Sequence, residues 1–110
     1  MKNFKSNCKL ITDYLGLNED AIFRKSRENK IVYPRQLIIY YYHIVKGYSI
    51  AAISLNFNCV KRTASYNSIK AIDNLMIYKN ERDEIIDIFL QLNEADFERE
   101  LTVINNLPKN

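Results

Sequence analysis

Two clusters of side chains have the types and spacing to do chemistry, and both suit a polyanion. Lys25 and Arg27 sit in the run Arg24-Lys25-Ser26-Arg27-Glu28-Asn29-Lys30, which lacks any helical or strand periodicity and reads as a basic loop. Lys61, Arg62, Thr63, Ser65 and Asn67 open a periodic segment, so they fall on the first turns of a helix. Lys61 or Arg62 can pair with guanine O6 and N7, and Thr63 can offer a methyl to thymine or a hydroxyl to a base edge. Catalysis is not encoded. His43 is the only histidine, has no Ser or Cys nucleophile pattern around it, and is expected to touch phosphate or solvent. No G-x-x-x-x-G-K-S/T loop is present, so no nucleotide is expected. Cys8 and Cys59 stand far apart without companion ligands, which excludes a zinc site or disulfide framework and fits a cytoplasmic setting. The carboxylates at Asp83, Glu84 and Asp87 and at Glu94, Asp96, Glu98 and Glu100 read as solvated helix faces, so neither metal nor cofactor is expected.

These residues need elements to hold them, and composition points to helices. The chain has 110 residues, 47% of them hydrophobic, but only two glycines and two prolines, too little turn chemistry for an all-β fold. Its longest apolar run is far too short to cross a bilayer, and no signal peptide follows Met1. Phe4, Cys8, Ile11 and Leu15 form the stripe of a first helix closed by Gly16, and Asn18 caps a short helix through Phe23. Pro34 suits a first helical turn, so a third helix is predicted from about Pro34 to Lys46, with Tyr41 in the core and Tyr42 exposed. Ser49 caps a short fourth helix carrying Ile50, Ile53 and Phe57. A longer helix then spans about residues 61–78, with Tyr66, Ile69, Leu75 and Met76 on its apolar face. Two helices joined by a few residues, the second led by Lys61, Arg62 and Thr63, form the layout of a helix-turn-helix. Asn93 with Asp96 resembles a cap, which predicts two C-terminal helices over about 82–92 and 94–105.

Charge divides the chain. Residues 1–80 hold 13 Lys and Arg against 5 Asp and Glu, a balance of +8; residues 81–110 hold 3 against 8, a balance of −5. The basic part is where a polyanion would bind.

The segments Lys25-Ser26-Arg27, Ile31-Val32-Tyr33-Pro34-Arg35-Gln36, Ser49-Ile50 with Ile53, and Phe57 resemble the C-terminal DNA-binding domain of the bacterial replication initiator DnaA, over roughly residues 5–78. That family has a basic K-S-R loop, an I-V-x-P-R-Q helix start, S-L-x-x-I, and a glycine-rich turn into R-D-H-T-T-V. The resemblance implies an all-α, Trp-repressor-like bundle of five to seven helices that binds double-stranded DNA. Arg27 takes the place of the arginine that enters the minor groove, where a weakly hydrated guanidinium meets several acceptors. Arg35 and Gln36 match a phosphate-contacting pair at a helix start. The signature that reads bases becomes Val60-Lys61-Arg62-Thr63-Ala64-Ser65 here, and the paired glycines become Asn58 and Cys59. Binding to the initiator's own box is therefore not implied, whereas duplex binding is favoured electrostatically by Lys61 in place of an acid.

The expected organisation is a DNA-binding unit over 1–80 and an acidic helical extension over 81–110, either part of the same compact unit or a dimerisation element. A stand-alone replication or transcription control protein without an ATPase module is expected. The competing expectation is a protein-interaction module that keeps the scaffold but has lost DNA readout. Leu90, Phe97 and Ile104 recur every seven residues, with Ile86, Leu101 and Leu107 on the same side, and large side chains in that number need a cover. The choice is between folding back on the basic body and pairing with the tail of a second copy.

Overall fold

The computed structural model describes residues 1–23, 29–57 and 62–107, with 29–31 described by backbone alone. Within them the fold is all-α. Helix α1 spans Phe4–Tyr14, a 3-10 turn Glu19–Phe23, α2 Asn29–Tyr40, a π-helical turn Tyr41–Val45, α3 Ile50–Ser54, α4 Arg62–Leu75 and α5 Lys79–Asn105.

Helix α1 follows its stripe: Phe4, Cys8 and Ile11 are buried. Its end is a Schellman closure. The Gly16 N–H donates to the Asp13 carbonyl (3.2 Å) and the Leu17 N–H to the Thr12 carbonyl (2.8 Å), with Gly16 at φ +70°, a conformation that favours glycine. Ser49 caps α3 as expected, its Oγ accepting from the Ala52 N–H at 3.1 Å. Phe4 meets Phe57 edge-on, with centroids 5.2 Å apart, which joins α1 to the end of the α3 region in one core.

Two predicted boundaries and one predicted exposure are corrected. Helix α2 begins at Asn29, so Pro34 lies inside the helix rather than at its first turn. Proline forfeits one hydrogen bond there, but Val32 and Tyr33 ahead of it are half-buried, and Tyr33 packs against the core. Local proline chemistry yields to tertiary burial. The second correction follows from the π turn, in which the Lys46 N–H reaches back five residues to the Tyr41 carbonyl (3.0 Å). An extra residue per turn rotates the following side chains. Tyr42 is consequently buried together with Tyr41, while Ile44 and Val45 turn outward. Third, residues 79–105 form one continuous helix with no break at Asn93. Asn93 Oδ1 accepts from Lys46 Nζ (3.2 Å) and Asp96 is buried, so both side chains are engaged across the fold instead of capping their own helix.

Helix α5 docks through Ile85, Ile88 and Leu92, which share the core cluster of α1 and α2, and through Asp96. Asp96 is the centre of a polar network that the sequence did not announce. Its carboxylate accepts from Tyr41 Oη (2.7 Å), Asn7 Nδ2 (3.2 and 3.3 Å), Asn3 Nδ2 (3.2 Å) and Arg99 Nη1 (3.1 Å), and it lies 3.4 Å from Lys46 Nζ. Asn7 Nδ2 also donates to Tyr42 Oη (3.0 Å), which in turn donates to the Lys2 carbonyl (2.6 Å), and Asn7 Oδ1 accepts from Arg99 Nη1 (3.0 Å). Burial alone would raise the Asp96 pKa. The donors from Tyr41, Asn7 and Asn3, with the Lys46 charge, outweigh it and hold the carboxyl below its ordinary value.

Removing a buried anion leaves its donors and cations unmatched, so Asp96→Ala should lower the unfolding free energy by about 3 kcal/mol and Tyr41→Phe by about 1 kcal/mol. Urea titrations followed by circular dichroism measure both. The unfolded chain, with an Asp value of about 3.9, takes up the proton before the folded one does. The stabilisation from Asp96 is therefore fully present above about pH 4 and is lost as pH falls through the lower native value. The urea midpoint should drop as pH falls below about 5, and the part of that drop due to Asp96 should vanish in Asp96→Asn.

Candidate nucleic-acid interface

Helices α3 and α4 are the pair expected from the sequence, and small side chains set their approach. Ser54 Oγ and Ser65 Oγ lie 3.3 Å apart where the two helices meet, and Ser68 Oγ donates to the Ala64 carbonyl (2.8 Å). Ile53 and Ile72 bury beneath that contact. The outer side of α4 is left free. Thr63, Tyr66, Asn67 and Lys70, at spacings of three, four and seven from Thr63, form one exposed stripe, and Arg62 is exposed at its head. The first carboxylate along α4 is Asp73, and its Oδ1 accepts from Tyr40 Oη at 2.8 Å. A cation, a hydroxyl, an amide and a second cation thus precede any negative charge on the helix.

Among the expected site residues, Arg62, Thr63 and Asn67 share this surface. Ser65 does not: it is fully buried at the α3–α4 contact, because two packed helices need a small residue where they meet. Arg35 and Gln36 were expected at a helix start, where free backbone N–H groups favour phosphate. With α2 beginning at Asn29 they lie two turns in, and Arg35 is buried. Gln36 lines a groove of about 580 Å³ with Val32, Tyr33, Ala71 and Leu75, shared with Glu81 and Glu84 at the start of α5. Two carboxylates beside it oppose an anion. Burial, and then the Glu84 charge, push the Tyr33 hydroxyl well above the ordinary phenol range, another sign of the acidity of this groove.

His43 is half-buried, and its Nδ1 lies 2.8 Å from the Tyr48 carbonyl oxygen, which can only accept, so Nδ1 carries the proton. The ring ties the π turn to the segment after Gly47. Ser49 is exposed at the start of α3, with its Oγ engaged in the cap. Lys25, Arg27 and Lys61 lie outside the described residues. Burial pushes the Cys8 thiol up to about 12, which removes it as a nucleophile at neutral pH. No helix among the described residues is long and apolar enough to cross a membrane.

Tyr66 and Lys70 are the surface residues that the sequence reading missed. Tyr66 fits the apolar face by type and spacing, yet it is 57% exposed. The signal was present in its offset of three from Thr63, but a tyrosine next to Ile69 and Ile72 satisfies an apolar pattern equally well.

Comparison with known proteins places this geometry in a family. The bacterial dnaA protein helix-turn-helix matches residues 8–72, from within α1 to near the end of α4. The chain is 29% identical over 84 residues to the chromosomal replication initiator protein DnaA of Dechloromonas aromatica (strain RCB), an alignment covering 76% of this chain and 18% of that protein. It therefore spans less than a fifth of that relative's length. With the matched region taking in more than half of the chain, including α3 and most of α4, the chain belongs to the bacterial dnaA helix-turn-helix family.

Proposed function

We propose that this protein binds double-stranded DNA with the head of α4 in the major groove and the basic loop in the minor groove, and that it acts in replication or transcription control. The observation that carries this reading is the exposed stripe of α4, where Arg62, Thr63, Asn67 and Lys70 stand together ahead of any carboxylate. Arg62 and Thr63 read base edges, with Lys61 beside them in sequence; Lys70, two turns further along, meets phosphate. Arg27, with Lys25, enters the minor groove, the role its place in the K-S-R segment implies. Ser49, whose Oγ accepts from the Ala52 N–H, donates its hydroxyl proton to a DNA phosphate from the start of α3. Ser65 and Arg35 position the helices, and Gln36, in its acidic groove, contributes nothing to DNA contact.

Binding to a duplex pool at two salt concentrations tests the proposal. The affinity should fall steeply as salt rises, because each neutralised phosphate releases counterion. Arg27→Ala should cost about 1–3 kcal/mol of binding with the fold unchanged. Lys70→Gln should weaken all duplexes about equally and reduce the salt slope by roughly one, whereas Arg62→Ala or Thr63→Ala should relax preference at particular base pairs after selection from random duplexes. An affinity independent of salt would overturn DNA binding in favour of a protein-interaction module.

A further inference from the structure

Helix α5 has two apolar faces, and only one is covered. The docked face carries Ile85, Ile88, Leu92 and Asp96. Beyond Asp96 no described side chain of the helix or of the two residues after it is buried. A helical end with nothing packed on it is marginal in water.

The second face is a heptad seam. Ile86, Leu90, Phe97, Ile104 and Leu107 follow alternating intervals of four and three once Asn93 and Glu100 take the intervening places. At 3.6 residues per turn this seam lies roughly a third of a turn from the docked face. Leu90, Phe97 and Ile104, one heptad apart, are 62%, 59% and 59% exposed. Glu81 and Glu84, which line the groove against α2 and α4, fall on the opposite side of α5, so a partner on the seam leaves that groove untouched.

We infer that a second copy of this chain covers the seam, the two α5 helices pairing antiparallel about a two-fold axis near Phe97. Area is the first support. The exposed surface of the seam with the flanking Leu101 is on the order of 600 Å² per copy, at the lower end of the roughly 600–1,000 Å² each partner gives to a standard interface. Self-complementarity is the second. Lys46 lies beside the seam in a groove lined by Leu90, Asn93, Glu94, Phe97 and Glu100, and its side chain keeps 26% exposure after meeting Asp96 and Asn93. A parallel pair would set Glu100 against Glu100 of the second copy. In an antiparallel pair centred near Phe97, the two Glu100 side chains are set about 9 Å apart along the axis, and each comes to the level of Glu94 of the other copy, where Lys46, in the same groove, is the cation that meets it. A two-fold axis makes that contact twice.

This assignment is independent of DNA binding and is tested without DNA. Sedimentation equilibrium of the full chain at about 10–200 μM should give a dimer, the range expected of a standard-size interface of modest polarity. Phe97→Glu should leave helical circular dichroism unchanged and shift the mass to the monomer. Should that variant lose helicity, Ile104→Glu, two turns beyond Asp96, gives the same test away from the core. Glu100→Lys, which sets cation against Lys46, should weaken the dimer about tenfold. A wild-type monomer at the highest concentration, or a Phe97→Glu protein as dimeric as wild type, overturns the inference. A dimer that Glu100→Lys leaves unchanged or tightens overturns the antiparallel pairing.

Discussion

One buried carboxylate constrains most of this structure. A carboxylate as enclosed as Asp96 costs several kcal/mol in lost hydration unless donors replace the water, and each donor must come from somewhere specific. Asn3 and Asn7 come from the start of α1, Tyr41 from the π turn, and Arg99 from the next turn of α5, with Lys46 alongside. Apolar packing of Ile85, Ile88 and Leu92 would tolerate a helix that slides or turns slightly on its bed. The network does not, because a slip of α5 by one residue removes Asp96 from its donors and leaves it against hydrocarbon. Hydrophobic burial supplies the attraction of α5 to the body, and the carboxylate sets its register.

The same network reaches the helix-turn-helix half of the protein through the π turn. An ordinary helical turn after Tyr40 would direct Tyr41 and Tyr42 less closely toward a common centre. The widened turn buries both, one donating to Asp96 and the other bridging Asn7 and the Lys2 carbonyl. The chain then leaves through Gly47, at φ +81°, with His43 fastened to the Tyr48 carbonyl, and enters α3 under the Ser49 cap. Ser54 against Ser65 finally sets α4. The direction in which the α4 stripe points is thus fixed by contacts that begin far away on α5.

Local chemistry was legible in the sequence and non-local chemistry was not. Gly16, the Ser49 cap, the stripe of α1 and the opening of α4 act within a few residues, and the structure follows them closely. Pro34, Tyr42 and Asp96 have local preferences that point elsewhere: a helix start, an exposed tyrosine, a cap. Each is overridden by partners remote in sequence, such as Asn7 for Tyr42, 35 positions away, and for Asp96, 89 positions away. The candidate site divides along the same line. Arg62, Thr63 and Asn67 needed only the helical period, whereas the burial of Ser65 depends on α3 and the acidity around Gln36 depends on α5.

Charge completes the picture by subtraction. The +8 body offers cations on several sides, and an anion could approach more than one of them. Helix α5 narrows the choice: Glu81 and Glu84 close the groove beside Gln36, and Asp87 accepts from Tyr14 Oη (2.8 Å) at the end of α1. Lys46 is engaged with Asp96. Negative charge on the extension thereby covers flanks of the body, and the α4 stripe, free of carboxylates up to Asp73, is left as an exposed cationic surface. The acidic tail and the basic body therefore coexist in one fold, because the carboxylates at the start of α5 lie beside α4 and not across its exposed stripe.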